Sequence, residues 1–265
     1  MTGANAVRQV FGFFSFLGRK TGKTRVFAIL GLIPVALAVI VRIVLHGRGG
    51  LMAAVFTEIL MVFFLQFYIV ILALFYGTSV TAEEIENRTL TYLITRPIPK
   101  PAIILGKSAA YAVLMFAMVG VSLALSYFIM NAARLSDPDL YGTFFRYLGV
   151  LGLGILAYTA FFTFLGAVLK RAIIVGMIFG FGWENVIQYF PGSTQKLSIV
   201  HYLKSLLPYH PPSVGGGGGR GVALLLFRLE PTTPLAAILI LAAVTAGLLA
   251  LACWLFRVKE YLYED

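Results

Sequence analysis

The chain is predicted to be an all-α integral membrane protein with six transmembrane helices, and three observations carry that reading. Of its 265 residues, 60% are hydrophobic and only 12% charged, about half the charged fraction of an ordinary soluble domain. The apolar residues fall in continuous windows of about 20, the length a helix needs to cross a hydrocarbon core of roughly 30 Å. Short alternating segments, the mark of a barrel, do not occur, and in lipid an open sheet leaves its backbone unsatisfied.

The predicted spans run from Val26 to Leu45 with Arg42 near the end, Ile59 to Val80, Ser108 to Met130, Tyr147 to Leu169, Ala172 to Phe190 with Glu184 inside, and Leu235 to Phe256. Lys and Arg set the orientation, because their translocation is disfavoured. With the N-terminus inside, thirteen of the 21 lie on the inner side and eight on the outer. Both termini are expected to be cytoplasmic. The basic stretch before Val26 resembles a signal-peptide n-region, but the apolar run behind it is too long and lacks a small-residue cleavage site, so the first span is read as retained.

The net charge of +10 sits at membrane edges, where anionic headgroups and topology account for it without a nucleic-acid partner. A lone cysteine, Cys253, rules out an intrachain disulfide and a cysteine metal cluster. The histidines His46, His201 and His210 lack ligand spacing. Ser79, Ser108, Ser122 and Ser126 have no histidine at their depth to act as base, so they read as packing and hydrogen-bonding groups. In "GRKTGKT", only three residues separate Gly18 from Gly22 and Leu17 stands where a phosphate loop needs glycine. This run reads as a basic patch for lipid headgroups.

Residues 7–25, aromatic and then basic, are expected to form an interfacial helix. Residues 191–234 form the longest outer loop, with Leu197, Val200, Leu203 and Leu207 at helical spacing for an amphipathic helix on the outer leaflet. Five consecutive glycines follow as a flexible linker. Glu184 is the most costly residue of the apolar runs. It is either a boundary residue capping a broken helix or part of a transport path; Arg42 and Glu58 read as boundary charges near the same face.

Between the second and third spans lies the polar island "ENRTLTYLITRPIPKPAIILGK". As a helix over 82–95, it puts Glu84, Asn87, Arg88, Thr91 and Thr95 in one stripe, with Ala82, Ile85, Leu90 and Leu93 opposite. Glu84 and Arg88 stand at i and i+4 in the favourable order, contributing roughly 0.2–0.5 kcal/mol. "RPIPKP" is expected to end the helix, with the next span entered at Lys107. Such a helix, tied at both ends to spans, suits a soluble partner that pushes on it.

These residues resemble the membrane subunits of ABC-2 type ATP-binding-cassette exporters. The island is similar to their first cytoplasmic loop at Glu84 and Glu86, Thr89-Leu90, Pro97 with Lys100, and Leu105-Gly106-Lys107, while Arg88 stands where many members have glycine. "WENVIQYFPGSTQKLSIVHYL" resembles a Trp-Glu, Pro-Gly, Ser, His-Tyr pattern seen in a subset of them. The resemblance implies one permease domain over 1–265, multi-pass in the cell inner membrane, that forms the substrate path as a homodimer or related heterodimer. It implies a coupling helix and turn over 82–101 docking a cytoplasmic ATPase through Glu84, Glu86, Asn87, Arg88, Thr89, Thr91, Tyr92, Arg96, Pro97 and Lys107. Trp183, Glu184, Asn185 and Pro191 belong to an implied outer gate. The chain itself is expected to be no enzyme and to hold no cofactor or metal, with ATP and Mg on the partner and lipids around it. A scaffold or assembly factor, or a lipid-modifying membrane enzyme, is the alternative.

Overall fold

The structure, a computed structural model, describes residues 5, 7–12, 22–44, 56, 61–81, 100–169, 171–187, 193–207 and 232–258. Among these, all regular structure is helical. Five helices are long and apolar enough to cross a membrane: span 1 (Thr24–Val44), span 2 (Met61–Ser79), span 3 (Pro101–Met130), span 4 (Pro138–Val168) and span 6 (Pro234–Val258). The predicted fifth span appears as a shorter apolar helix, Ala172–Val186, called span 5 below. Residues 188–190, its expected outer end, lie outside the described residues.

Spans 3 and 4 begin earlier than their apolar windows. Span 3 is helical from Lys100, so Lys107, expected at the point of entry, lies inside it. Pro101 falls in the first turn, where its missing N–H has no intrahelical role and its fixed φ favours the helix. Span 4 starts at Pro138, with Asp137 as N-cap accepting from Asp139 N at 3.4 Å. A hydropathy window finds the part of a helix that lipid covers, whereas capping and proline chemistry decide where the helix starts.

Span 2 is the axis of the bundle. Two thirds of its apolar window (67%) is buried inside the protein, against 22% for span 1 and 17% for span 6. Lipid is as apolar as leucine, so spans associate mainly through close packing of small residues and through hydrogen bonds. At Gly77 a Cβ would stand 2.8 Å from Phe162 Cβ and 3.3 Å from Thr159 O on span 4. That approach lets Tyr68, Leu72, Tyr158 and Phe162 fill the centre, all fully buried. Span 1 is tied to span 2 by hydrogen bonds: Tyr68 Oη donates to Phe27 O at 3.1 Å and Thr24 Oγ1 meets Tyr76 Oη at 2.8 Å.

The serines behave as packing groups. Ser79 Oγ donates to Phe75 O, Ser126 Oγ to Ser122 O, and Ser108 Oγ to Leu105 O within their own helices. The Arg42 guanidinium donates to Ile129 O, a carbonyl in the last turn of span 3, as cations do at helix C-termini. Residues 7–12 form a short helix whose Val10 buries against Gly106 and Ala110 of span 3; residues 13–21 lie outside the described residues, and Gly22–Leu30 opens span 1.

Replacing Gly77 by leucine is expected to force spans 2 and 4 apart and cost about 1–3 kcal/mol, read as a lower thermal midpoint in detergent. Gly149→Ala, where a Cβ meets nothing within 4 Å, is the control and should leave the midpoint unchanged or slightly raised, since alanine favours a helix interior over glycine.

Candidate functional site

Span 5 is α-helical over Ala172–Met177, π-helical over Ile178–Trp183, and α-helical again over Glu184–Val186. A π-bulge inserts one extra residue and turns everything after it by about 100° relative to a continuous α-helix. Glu184 is the first residue after the bulge. Span 2 carries a second π segment, Phe64–Tyr68, and the two lie side by side: Phe67 meets Phe181 at 5.3 Å between ring centroids, and Phe63 stacks on Phe67 at 6.0 Å.

After span 5 the chain returns through a 3-10 turn, Ser193–Leu197, to a short helix, Ile199–Leu206. Ser198 is its N-cap, accepting from His201 N at 3.4 Å. Glu184, only 1% exposed, completes the cap from the preceding span. Its Oε1 accepts from Ile199 N at 3.1 Å, and its Oε2 from Val200 N at 3.4 Å and from Ser198 Oγ at 2.5 Å. The Tyr158 hydroxyl of span 4 faces the same carboxylate. A buried carboxylate with several donors is held in place, and the first orphan amides of the short helix are satisfied in return.

The other side of the short helix is tied to Thr232, two residues before span 6. His201 Nε2 meets Thr232 Oγ1 at 3.2 Å, and Thr232 N donates to Ser205 Oγ at 3.3 Å, while Ser205 Oγ donates to His201 O at 2.9 Å. Leu203 packs on Gly154 of span 4, where a Cβ would stand 3.1 Å from Leu203 Cδ1. The apolar face therefore turns into the bundle, with Ile199, Val200, Leu203 and Leu206 buried, rather than onto the bilayer surface as expected. Lys204 stays within electrostatic reach of Glu184; burial pushes its ammonium down to about 8, and the carboxylate works against that shift.

Of the expected gate residues, Glu184 forms the clasp. Asn185 Nδ2 donates to Phe181 O at 3.0 Å, and Trp183 is 49% exposed on the flank of span 5. Pro191 lies outside the described residues, as do Glu84, Glu86, Asn87, Arg88, Thr89, Thr91, Tyr92, Arg96 and Pro97. Lys107 is 1% exposed, its Nζ 5.9 Å from the centroid of the Tyr111 ring one turn on. Sequence reasoning missed Tyr158, Ser205 and Thr232, and met Ser198 only inside the motif "WENVIQYFPGSTQKLSIVHYL" and His201 there and among the histidines without ligand spacing. Ser198 carried a signal, a serine immediately before an apolar helical run; the others become partners only across the fold.

The class so defined is a polytopic helical membrane protein with a short helix clasped between its spans. The chain belongs to the ABC-2 family of transporter proteins, whose family model, described as ABC-2 family transporter protein, matches residues 19–261. No curated protein matches it. Membership makes the chain the membrane domain of a transporter, as the sequence motifs implied.

Glu184→Ala leaves buried donors unsatisfied and is expected to cost about 1–3 kcal/mol. The check is hydrogen exchange: amides of Ile199 and Val200 should exchange faster by about tenfold or more, while those of span 4 stay unchanged. Inserting one alanine between Trp183 and Glu184 turns Glu184 by one residue, about 100° around span 5, so it should reproduce the same exchange pattern with the carboxylate still present.

Proposed function

We propose that the chain is the permease subunit of an ABC-2 type exporter, which pairs with a second permease copy and docks a separate cytoplasmic ABC ATPase. The match to the family over residues 19–261 carries this reading. ATP and Mg belong to the partner. The docking surface is the polar stripe of the loop between spans 2 and 3, with Glu84, Glu86, Asn87, Arg88, Thr89, Thr91, Tyr92, Arg96 and Pro97, while Lys107 is buried two turns into span 3. Nucleotide-driven movement of the partner shifts the membrane pair between inward-open and outward-open populations, through contacts that differ between the two states. Both termini face the cytosol in this arrangement, in the inner membrane.

In the same reading the segment from Trp183 through Pro191 to Leu206 is the outer gate. The clasp supports it physically. Glu184 joins span 5 to the short helix, and His201 and Ser205 join that helix to Thr232 just ahead of span 6, so the helix can leave only when these bonds are exchanged. Hydrogen bonds to a charged group contribute about 1.5–3 kcal/mol each, and water at the outer surface replaces them as the helix lifts. Such a gate rests closed and opens under a modest load.

Two experiments test the proposal. Glu84→Ala with Arg88→Ala should lower recovery of the ATPase from co-purification and lower transport in vesicles, with membrane insertion intact; unchanged recovery removes the docking assignment. Glu184→Gln keeps the shape but gives up two charge-assisted acceptors, and should change transport while ATPase recovery stays the same. If it leaves transport at the wild-type rate, Glu184 is only a structural cap.

A further inference from the structure

Span 1 breaks at Gly31 into Gly22–Leu30 and Leu32–Val44. Pro34 removes an amide just beyond the break. Ser122 Oγ of span 3 donates to Gly31 O at 2.5 Å, and a Cβ at Gly31 would stand 2.4 Å from the Tyr68 hydroxyl, so the break is pinned from two sides. Beside it a groove of about 310 Å³ separates span 1 from span 3, with Ala28, Leu32 and Val35 on one wall and Ala117, Val121 and Leu125 on the other. These walls face outward: Leu32 is 56% and Val121 62% exposed.

We propose that this groove binds one acyl chain of an anionic phospholipid, with the headgroup at Arg25. The dimensions point to a chain. From Ala28 to Val35 the helix rises about 10 Å, so the 310 Å³ groove is a narrow apolar furrow running along the helix axis and open on its outer side. An unbranched hydrocarbon chain follows such a furrow. Helical steps of about 100° put Arg25 on the same face as Ala28, Leu32 and Val35, and its side chain is exposed. Arg25 lies about 15 Å along the axis from Val35, which is half of a hydrocarbon core of roughly 30 Å. A headgroup at Arg25 therefore leaves the end of its chain at the bilayer midplane, where the groove ends. The cationic Arg25 selects an anionic headgroup over a zwitterionic one.

The test uses the full chain in nanodiscs of phosphatidylcholine, with trace phosphatidylglycerol or phosphatidylcholine carrying a diazirine on one acyl chain, and mass spectrometry of the labelled peptides. Labelling should concentrate on 28–35 and 117–125, about five-fold more from the phosphatidylglycerol probe. Arg25→Gln should bring the two probes level with the groove still labelled. Ala117→Phe, which fills the groove, should remove most label there and leave span 6 unchanged. Groove labelling no higher than at the lipid-facing Leu239 and Leu251 of span 6 would overturn the proposal, and so would equal labelling by both probes in the wild type. Disulfides between two copies carrying Leu32→Cys, with Cys253→Ser, would assign the face to a second copy instead.

Discussion

A carboxylate inside an apolar bundle has to be surrounded by donors from its own protein, because lipid supplies none and each unmet polar group costs several kcal/mol. Glu184 meets that requirement with two backbone amides and a serine hydroxyl from a helix that comes later in the chain. The arrangement serves both sides. The short helix has orphan amides at its start, and the span has a charge that needs them. From this exchange follow the position of Ile199–Leu206 inside the bundle, the approach of Leu203 to Gly154, and the tie of His201 and Ser205 to Thr232 ahead of span 6. The short helix is thereby held inside the bundle by polar bonds from both of its sides.

The π segments explain how such a clasp is aimed. The wide turn at Ile178–Trp183 sets the angle at which Glu184 leaves span 5, and the wide turn at Phe64–Tyr68 faces it through the contact of Phe67 with Phe181. Gly180 lies at the same place, where a Cβ would stand 2.6 Å from Val70 Cγ1. Irregular helix geometry in both spans, at one depth, places an aromatic contact and a carboxylate next to the segment that closes the bundle. Span 1 shows the same economy at Gly31: a break in the helix is held by Tyr68 and Ser122, and an apolar groove runs beside it between spans 1 and 3.

Much of this was legible in the residues. The uncharged windows located the five long helices because a bilayer fixes both their length and their polarity, and the loop motifs pointed to the family that residues 19–261 match. The serines within spans were readable as packing groups because no base shares their depth. Helix starts were less legible: the apolar windows of spans 3 and 4 open at Ser108 and Tyr147, yet the helices begin at Lys100 and Pro138. Hydropathy registers where lipid ends, and a helix continues past that point when a proline or a capping aspartate permits.

By itself the sequence determined that the chain crosses a membrane as helices, roughly where, and that one carboxylate is lodged in an apolar run at a cost that demands partners. The tertiary structure alone decided who those partners are. Tyr158, Ser198 and Thr232 carry no mark that ties them to Glu184 or His201, since spacing along a chain records neighbours within one helix, whereas a clasp is made by groups that only the packing of spans 2, 4, 5 and 6 brings together. The inward face of Ile199–Leu206 has the same cause. An amphipathic pattern says that one side is buried, and the donors and the glycine waiting in the bundle decide that the burial is against protein instead of lipid.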